Sequence, residues 1–389
     1  MAGLVIKPRA RLFHGHDWVY TSDVLKSFGS PEDGELVSLK DSRDRLLGTA
    51  IYNSRSQIVA RRFSRQRQEL DLDFFKRRIS LALEYRKRHG LAQQCGRIVW
   101  SESDGLPGVI IDRYGNDYVI QTLTLAMDKR RELLAAALRD LLHPRTILER
   151  NDSPIRKAEG MEMRTGVLSG PAPSPQWIEL NGLRFEIDLL TGQKTGFYLD
   201  QLSNYAAVAR YAAGRTVLDC FCNQGAFALH CAKAGAQSVT AVDISGEAAA
   251  ATARNATANQ LSVQTVEANV FDDLNRREKA GETFDLIVLD PPSFTKSKGH
   301  LHDAMRGYKE IHLRALKLLR NDGLLATFCC SHHVGEELFL SVINEATVDA
   351  KRTLRLLECY HQGLDHPVIP TLPESSYLKG FLFETVPGR

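Results

Sequence analysis

Thr216-Val217-Leu218-Asp219-Cys220-Phe221-Cys222-Asn223-Gln224-Gly225 is the stretch on which the fold turns. A short β-branched and leucine run ends on an acid, passes through small and polar residues with a single glycine, and gives way to Ala226-Phe227-Ala228-Leu229, the start of a helical period. The same unit recurs downstream, with strands expected at 238–243, 284–290 and 324–328 and helical stretches of about 10 to 15 residues between them. Such alternation implies right-handed crossovers and a parallel sheet covered on both faces, hence an α/β, doubly wound (Rossmann-like) domain over 179–389.

In open α/β sheets ligands bind beyond the carboxyl ends of the strands, so the residues that end each strand carry the chemistry. The turn after Asp219 lacks the GxGxxG pattern, which favours a ligand without phosphates over a dinucleotide. Asp243 ends the second strand, where a carboxylate accepts hydrogen bonds from a ribose diol. Asn269-Val270-Phe271-Asp272 follows the third, where an amide oxygen suits an adenine amino group. Together they describe an adenosine with a polar tail, which matches S-adenosylmethionine. Taken singly, Asp219 and Asp243 also suit capping of the next helices.

The fourth strand runs into Asp290-Pro291-Pro292-Ser293-Phe294-Thr295-Lys296-Ser297-Lys298. Two prolines stiffen the chain, so Asp290 is held to take the amino or ring-nitrogen edge of a planar base and Phe294 to stack on its face. The fifth strand ends in Phe328-Cys329-Cys330-Ser331-His332-His333. A thiol there is either a nucleophile or a small buried hydrophobe, and spacing alone does not choose. Carbon 5 of a pyrimidine is a poor nucleophile until something adds at carbon 6, and a cysteine is a suitable adding group because it can leave again. Methylation of an exocyclic amine needs no such thiol.

Upstream the period changes. Residues 1–68 favour short strands at 36–39, 46–52 and 57–61, a small β-barrel. The first 90 residues hold 18 Lys+Arg against 11 Asp+Glu, whereas the remainder holds 32 against 36, so a polyanion belongs at the N-terminal end. Arg61-Arg62-Phe63-Ser64-Arg65-Gln66-Arg67 sets four arginines around an aromatic; this is either a phosphate-and-base surface or a strand edge kept soluble by charge. A compact central α+β domain is expected over 69–178: a helix entered through Asp71 and Asp73 and stopped at Gly90, strands at 97–100, 109–112, 118–123 and 146–149, and a helix at 129–142. The proline-rich 166–175 reads as a linker or exposed loop.

A chain of 389 residues, 43% hydrophobic and 25% charged, excludes a lone small module and a disordered chain. No apolar run approaches the ~20 residues of a membrane span, and Lys7 and Arg9 interrupt any signal-peptide core, so a cytoplasmic protein without a membrane partner is expected. The seven scattered cysteines read as free thiols, and Cys220-Phe221-Cys222 has no second pair to complete a metal site, so no metal is expected.

An ordered series of motifs runs through the chain: Gly15-His16-Asp17-Trp18-Val19-Tyr20, Gly105-Leu106-Pro107-Gly108-Val109-Ile110-Ile111-Asp112-Arg113-Tyr114, Glu149-Arg150-Asn151-Asp152-Ser153-Pro154-Ile155-Arg156 with Glu159-Gly160, and Gly192-Gln193-Lys194-Thr195-Gly196-Phe197-Tyr198-Leu199-Asp200-Gln201. It continues in the 290–298 segment, Cys330-Ser331-His332-His333 and Asp365-His366-Pro367. In these the sequence resembles, almost end to end, the ribosomal RNA large subunit methyltransferase I family, S-adenosylmethionine-dependent enzymes that make 5-methylcytidine in 23S ribosomal RNA. The resemblance implies a PUA-type RNA-binding barrel at 1–68, a central α+β domain at 69–178 and a class I methyltransferase domain at 179–389 whose sheet ends in a reversed strand.

By that likeness Gln193, Lys194, Thr195, Asp200, Asp219, Asp243 and Asn269 line the cofactor pocket, joined by Phe221, Asn223, Gly225, Ile244, Val270 and Asp290. Cys330 falls on the family's catalytic cysteine, with Asp290 beside it in the reaction, while Cys329 stands where a serine is usual. RNA contacts are expected from Arg61, Arg62, Arg65, Arg67, Pro291, Pro292, Phe294 and Lys296, the partner being 23S ribosomal RNA, with room for a homodimer. The chain departs from the family pattern in three places: Leu202 where Arg is common, Asn269 where Asp is usual, and Ser293 where some RNA cytosine methylators carry a second cysteine. The last leaves the base for the carbon 5 proton unassigned. Two rival readings stand beside this one: methylation of a ring or exocyclic nitrogen in RNA, and a noncatalytic RNA-binding assembly factor.

Overall fold

The stretch from Thr216 forms the middle of a seven-stranded sheet: β1 (Thr216–Cys220), β2 (Ser238–Asp243), β3 (Gln264–Glu267), β4 (Phe284–Leu289), β5 (Leu319–Cys329), β6 (Leu354–His361) and β7 (Lys379–Thr385). In this computed structural model, which describes residues 2–91, 94–295 and 298–386, the strand order is β3-β2-β1-β4-β5-β7-β6. β1 pairs in parallel with both β2 and β4, β2 with β3 and β4 with β5, while β7 runs antiparallel to β5 and β6. The chain winds outward from β1 to β3 and then returns to β4, so the strand order reverses between β1 and β4. A ligand crevice is expected there.

The helices between these strands are Ala226–Lys233, Gly246–Ala258, Val270–Ala280, Leu301–Leu318 and Glu336–Asp349. Leu218, Ile287, Leu289 and Leu325 of the sheet and Ile311, Leu316, Phe339 and Ile343 of the helices are fully or almost fully buried, each burial stabilising by about 1.5–3 kcal/mol. β5 begins five residues before the expected 324, because Leu319 already pairs with Phe284 ahead of an irregularity in the ladder.

Contacts divide the chain into two compact units. The first holds Met1–Ile178, Ile187–Leu199 and Leu364–Ser376; the second holds Glu179–Glu186, Asp200–Gly363 and Tyr377–Arg389, and includes the sheet just described. Within the first unit a six-stranded sheet runs in the order Trp18–Val19, Ala60–Ser64, Leu46–Tyr52, Leu36–Lys40, Gly3–Ile6 and Val24–Phe28. A second sheet, of five strands, runs Arg164–Ser169, Thr146–Asn151, Asp117–Thr122, Val109–Tyr114 and Cys95–Trp100.

The helix Leu72–Arg88 starts where Asp71 accepts a hydrogen bond from the Phe74 N–H (2.7 Å) and buries Phe74, Phe75, Ile79 and Ala82. Three expectations are corrected here. The strand placed at 57–61 is Ala60–Ser64, paired with Leu46–Tyr52 and Trp18–Val19. Residues 166–169, read as linker, complete an edge strand because they find partners in Thr146–Asn151. The helix at 129–142 divides at Arg130 into Leu125–Lys129 and Arg131–Leu142. Among the described residues no helix is long and apolar enough to cross a membrane.

Candidate active site

Three carboxylates gather at the carboxyl edge of the second unit's sheet. Asp219 is wholly buried; its Oδ2 accepts from the Ala228 N–H (2.9 Å), while its Oδ1 meets no hydrogen-bond donor among the described residues. Burial pushes its carboxyl well above the usual range, and the charges of Asp290 and Asp243 push it further against the Ala228 hydrogen bond. Asp243, at the end of β2, accepts from the backbone N–H of Asn223 (2.9 Å) and of Ser245 (3.0 Å), one on each oxygen. Capping by these acids leaves room for a ligand, since each carboxylate oxygen has a second lone pair. An acid-rich edge with one orphaned oxygen fits a ligand that brings positive charge, as the sulfonium and ammonium groups of S-adenosylmethionine do.

The turn between β1 and the next helix carries its own strain. Phe221, Asn223 and Gly225 all have positive φ (63°, 48° and 78°), costly for the two that bear side chains and common where backbone is shaped for a ligand. Gly225 tolerates nothing larger: a Cβ there would lie 2.5 Å from Thr252 Cγ2. Beyond β2, Ile244 is 67% exposed beside Asp243, an apolar surface suited to a flat ring. Asn269 is exposed, but its Oδ1 accepts from the Phe271 N–H (2.9 Å) as cap of the helix it precedes, which leaves a single lone pair for an adenine amino group; Val270 is buried.

At the end of β5 the two cysteines part. Cys329 is buried in the core, where its thiol donates to Tyr308 Oη (3.4 Å); Cys330, the next residue, is only partly buried. Lys379 is opposite Cys329 in the antiparallel ladder with β7, and its Nζ donates to the carbonyl of Ser331 (2.7 Å). Burial lowers the Lys379 amine below the ordinary lysine range, a fall opposed by Cys329, Cys330 and Glu336. No motif had singled out Lys379.

Asp290 follows β4, where Gln201 Nε2 donates to its Oδ2 (3.1 Å) and Asn204 Nδ2 in turn donates to Gln201 Oε1 (2.6 Å). Gln201 is a second residue that strand-end reasoning passed over, since it lies before β1. Pro291 is buried and Pro292 exposed. The Phe294 ring packs against Tyr308 (centroids 4.6 Å apart), Phe271 (5.9 Å) and Phe221 (6.4 Å), because helix and turn residues converge on it. Lys296 lies outside the described residues.

The remaining expected cofactor residues divide between the two units. Asp200 belongs to the second unit, where it is buried and accepts from Tyr377 Oη (2.6 Å). Gln193, Lys194 and Thr195 belong to the first. There Thr195 donates to Asp112 Oδ2 (2.6 Å) and lies 3.0 Å from Tyr114 Oη, Gln193 accepts from Tyr198 Oη (2.6 Å), and Lys194 Nζ sits 4.2 Å from the Tyr198 ring centroid. The buried Thr195 hydroxyl is thereby occupied within that unit.

The arginine cluster also divides. Arg61 pairs with Glu102 (2.7 Å) and stacks over Trp18, and Arg62 pairs with Asp17 (2.7 Å); both are largely buried. Both are engaged by acids from other segments, toward which strand Ala60–Ser64 turns them. Arg65 and Arg67, beyond that strand, are exposed.

Comparison with known proteins agrees with this architecture. A family model described as S-adenosylmethionine-dependent methyltransferase matches residues 162–384, and one described as PUA-like domain matches residues 6–65. The ribosomal RNA large subunit methyltransferase I of Aeromonas salmonicida (strain A449) is 40% identical over 388 residues, covering 97% of this chain and 98% of that protein. The protein of the same name from Shewanella amazonensis (strain ATCC BAA-1098 / SB2B) is 41% identical over 376 residues, 94% of each chain. Among solved structures, SMU.776 complexed with SAH superposes with a TM-score of 0.86 at 25% identity over 99% of this chain and 100% of that one.

The protein is therefore an α/β chain with a PUA-like N-terminal domain and a C-terminal methyltransferase domain that uses S-adenosylmethionine. It belongs to the ribosomal RNA large subunit methyltransferase I family.

Proposed function

We propose that this protein methylates carbon 5 of a cytosine in 23S ribosomal RNA, with Cys330 as the nucleophile. The observation that carries the reading is the parting of the two cysteines at the end of β5: Cys329 is hydrogen-bonded to Tyr308 in the core, and Cys330 is only partly buried, near enough for its charge to act on the Lys379 amine. A thiol placed for packing alone would need only the first. The relatives' name supports ribosomal RNA as substrate, which also puts the work in the cytoplasm.

When bound, S-adenosylmethionine would supply an electrophilic methyl group on a positively charged sulfur, the electron pair of the broken sulfur–methyl bond staying on what is then a neutral thioether. Asp219, Asp243 and the strained turn 221–225 would hold it, with Ile244, Asn269 and Val270 on the adenine side. The Cys330 thiolate forms a bond to carbon 6 of the cytosine, and the electron pair of the 5,6 double bond passes to carbon 5, which becomes nucleophilic and takes the methyl group. Asp290, oriented by Gln201 and stiffened by Pro291 and Pro292, takes the cytosine's polar edge. Loss of the carbon 5 proton to a base restores the double bond as the carbon–sulfur bond breaks, and the thiolate returns.

The test is a 23S RNA fragment carrying 5-fluorocytidine, incubated with the protein and labelled cofactor. Fluorine cannot leave as a proton does, so a covalent protein–RNA adduct should accumulate with Cys329→Ala and be absent with Cys330→Ala. Nucleoside analysis of normal RNA should show 5-methylcytidine. A methyl group on nitrogen, or full-rate transfer by Cys330→Ala, would overturn the reading.

A further inference from the structure

We infer that the first unit carries a second nucleic-acid site, a cleft in which Arg65 and Arg78 hold a backbone phosphate of the RNA while Leu81, Tyr85 and Val368 offer an apolar wall to the attached nucleoside. This inference rests on RNA being the substrate and says where part of that RNA is gripped. The cleft has a volume of about 780 Å³ and lies between the strand end at 62–66, one face of the Leu72–Arg88 helix, residues 102–107 and residues 367–369, all within one unit. That volume is in the range of sites that accept a nucleotide-sized ligand, about 300–1,000 Å³.

Its charge comes from a mismatch. Each carboxylate in the lining already has an arginine: Asp17 pairs with Arg62 (2.7 Å), Glu102 with Arg61 (2.7 Å) and Asp104 with Arg86 (2.5 Å). Arg65 and Arg78 also line it, and neither has an ion-pair partner among the described residues. Two positive charges are thus left over in a walled space, where an anion is attracted more strongly than at an open surface.

Arg78 is held there by construction. Its Nη2 donates to the Phe63 carbonyl (3.1 Å), its guanidinium lies 5.4 Å from the Phe74 ring centroid, and other N–H donors of its fork remain for a ligand. Gly105, at φ 71°, makes room: a Cβ there would come 3.0 Å from the guanidinium carbon. Burial, and after it the charge of Arg77, lowers the proton affinity of Arg78, a cost that a bound phosphate offsets. Leu81 and Val368, 56% and 45% exposed, are apolar side chains left in water beside these cations, which suits the face of a base or ribose.

The test is binding of a fluorescent 23S RNA fragment to the full chain, measured by anisotropy from about 50 to about 200 mM salt. Arg65→Gln and Arg78→Gln should each weaken binding about three- to tenfold and lower the salt slope, and the double variant, which frees the one phosphate, should lower it by about 0.7 to 0.9. Arg78 also braces Phe63, so the exposed Arg65 guards against a folding artefact. A wild-type slope and affinity in both Arg65→Gln and the double variant would overturn the cleft. Absence of RNA binding by the wild-type chain would overturn the cleft and the ribosomal RNA reading together. Altered slopes with nitrogen methylation in the product would support the cleft and strike only the carbon 5 chemistry.

Discussion

Cys329 and Tyr308 are joined in the core of the methyltransferase domain, the thiol donating to the phenol oxygen across 3.4 Å. Burial raises the Tyr308 phenol far above its ordinary value, with Cys329 the next contributor, so the phenol stays protonated. Cys329 is the last residue of β5 and fully buried, whereas Cys330 stands one residue beyond the strand's end and is only partly buried.

The two cysteines should therefore respond differently. Cys330→Ala is expected to lower methyl transfer about a thousandfold or more, with little change in thermal midpoint. Cys329→Ala should keep the rate within about threefold while costing about 1 kcal/mol of stability through the lost packing. Single-turnover rates and thermal denaturation of both variants check this; equal losses of rate would mean that accessibility does not separate them.

Lys379 should assist Cys330 as a positioning residue. A cation near a thiol favours the thiolate, and an effect of about 1 kcal/mol corresponds to about fivefold in thiolate population. In Lys379→Gln the iodoacetamide reaction of Cys330 should slow by that factor near neutral pH and its pH profile should shift upward, while Lys379→Arg restores both. Since burial lowers the Lys379 amine, the wild-type advantage should fade as pH rises toward the lysine range. A profile unchanged in Lys379→Gln would remove the amine from the mechanism.

Asp219 gives a pH signature. Its folded pKa is raised, so between the unfolded and folded values the folded chain binds more protons, and stability falls as pH rises through that window. Asp219→Asn removes this fall: without cofactor, its thermal midpoint should drop less than that of the wild type from about pH 5 to about pH 8. The same variant should bind S-adenosylmethionine about 10- to 100-fold more weakly, having lost a carboxyl oxygen that accepts a hydrogen bond. Cofactor affinity equal to wild type would show that the orphaned Oδ1 serves no ligand.

Arg61 should matter for folding rather than for RNA. Burial alone would raise the Glu102 carboxyl, yet Arg61, Ser101 and Trp18 outweigh it and hold it below the usual range. Arg61→Ala strands that buried carboxylate, a loss of about 3–5 kcal/mol, and should leave the salt slope of RNA binding unaltered in whatever folded fraction remains. A slope reduced as in Arg65→Gln would instead put Arg61 on a phosphate.

The doubly wound domain was legible because its signals are local. The expected strands at 216–219, 238–243 and 284–290 agree with β1, β2 and β4 to within a residue, and Asp219, Asp243 and Asp290 were found because a strand's end is visible in the chain. Less was legible in the first unit, where Ala60–Ser64 and Arg164–Ser169 depend on partners elsewhere and not on their own alternation. Gln193, Lys194 and Thr195 were read from motif likeness, which says nothing about the hydrogen bonds to Asp112, Tyr114 and Tyr198.

Hydrophobic period and turn residues, which act over a few neighbours, were enough by themselves to determine the α/β architecture and the acids that rim its parallel sheet. Which cysteine faces outward, that Arg61 is engaged by Glu102 41 residues away and Arg62 by Asp17 45 residues away, and that Lys379 stands opposite Cys329 were decided only when distant segments packed. The surroundings of a residue just past a strand's end are set only when other segments pack there, and a charge has no partner until the fold supplies it; neither fact leaves a local trace in the order of residues.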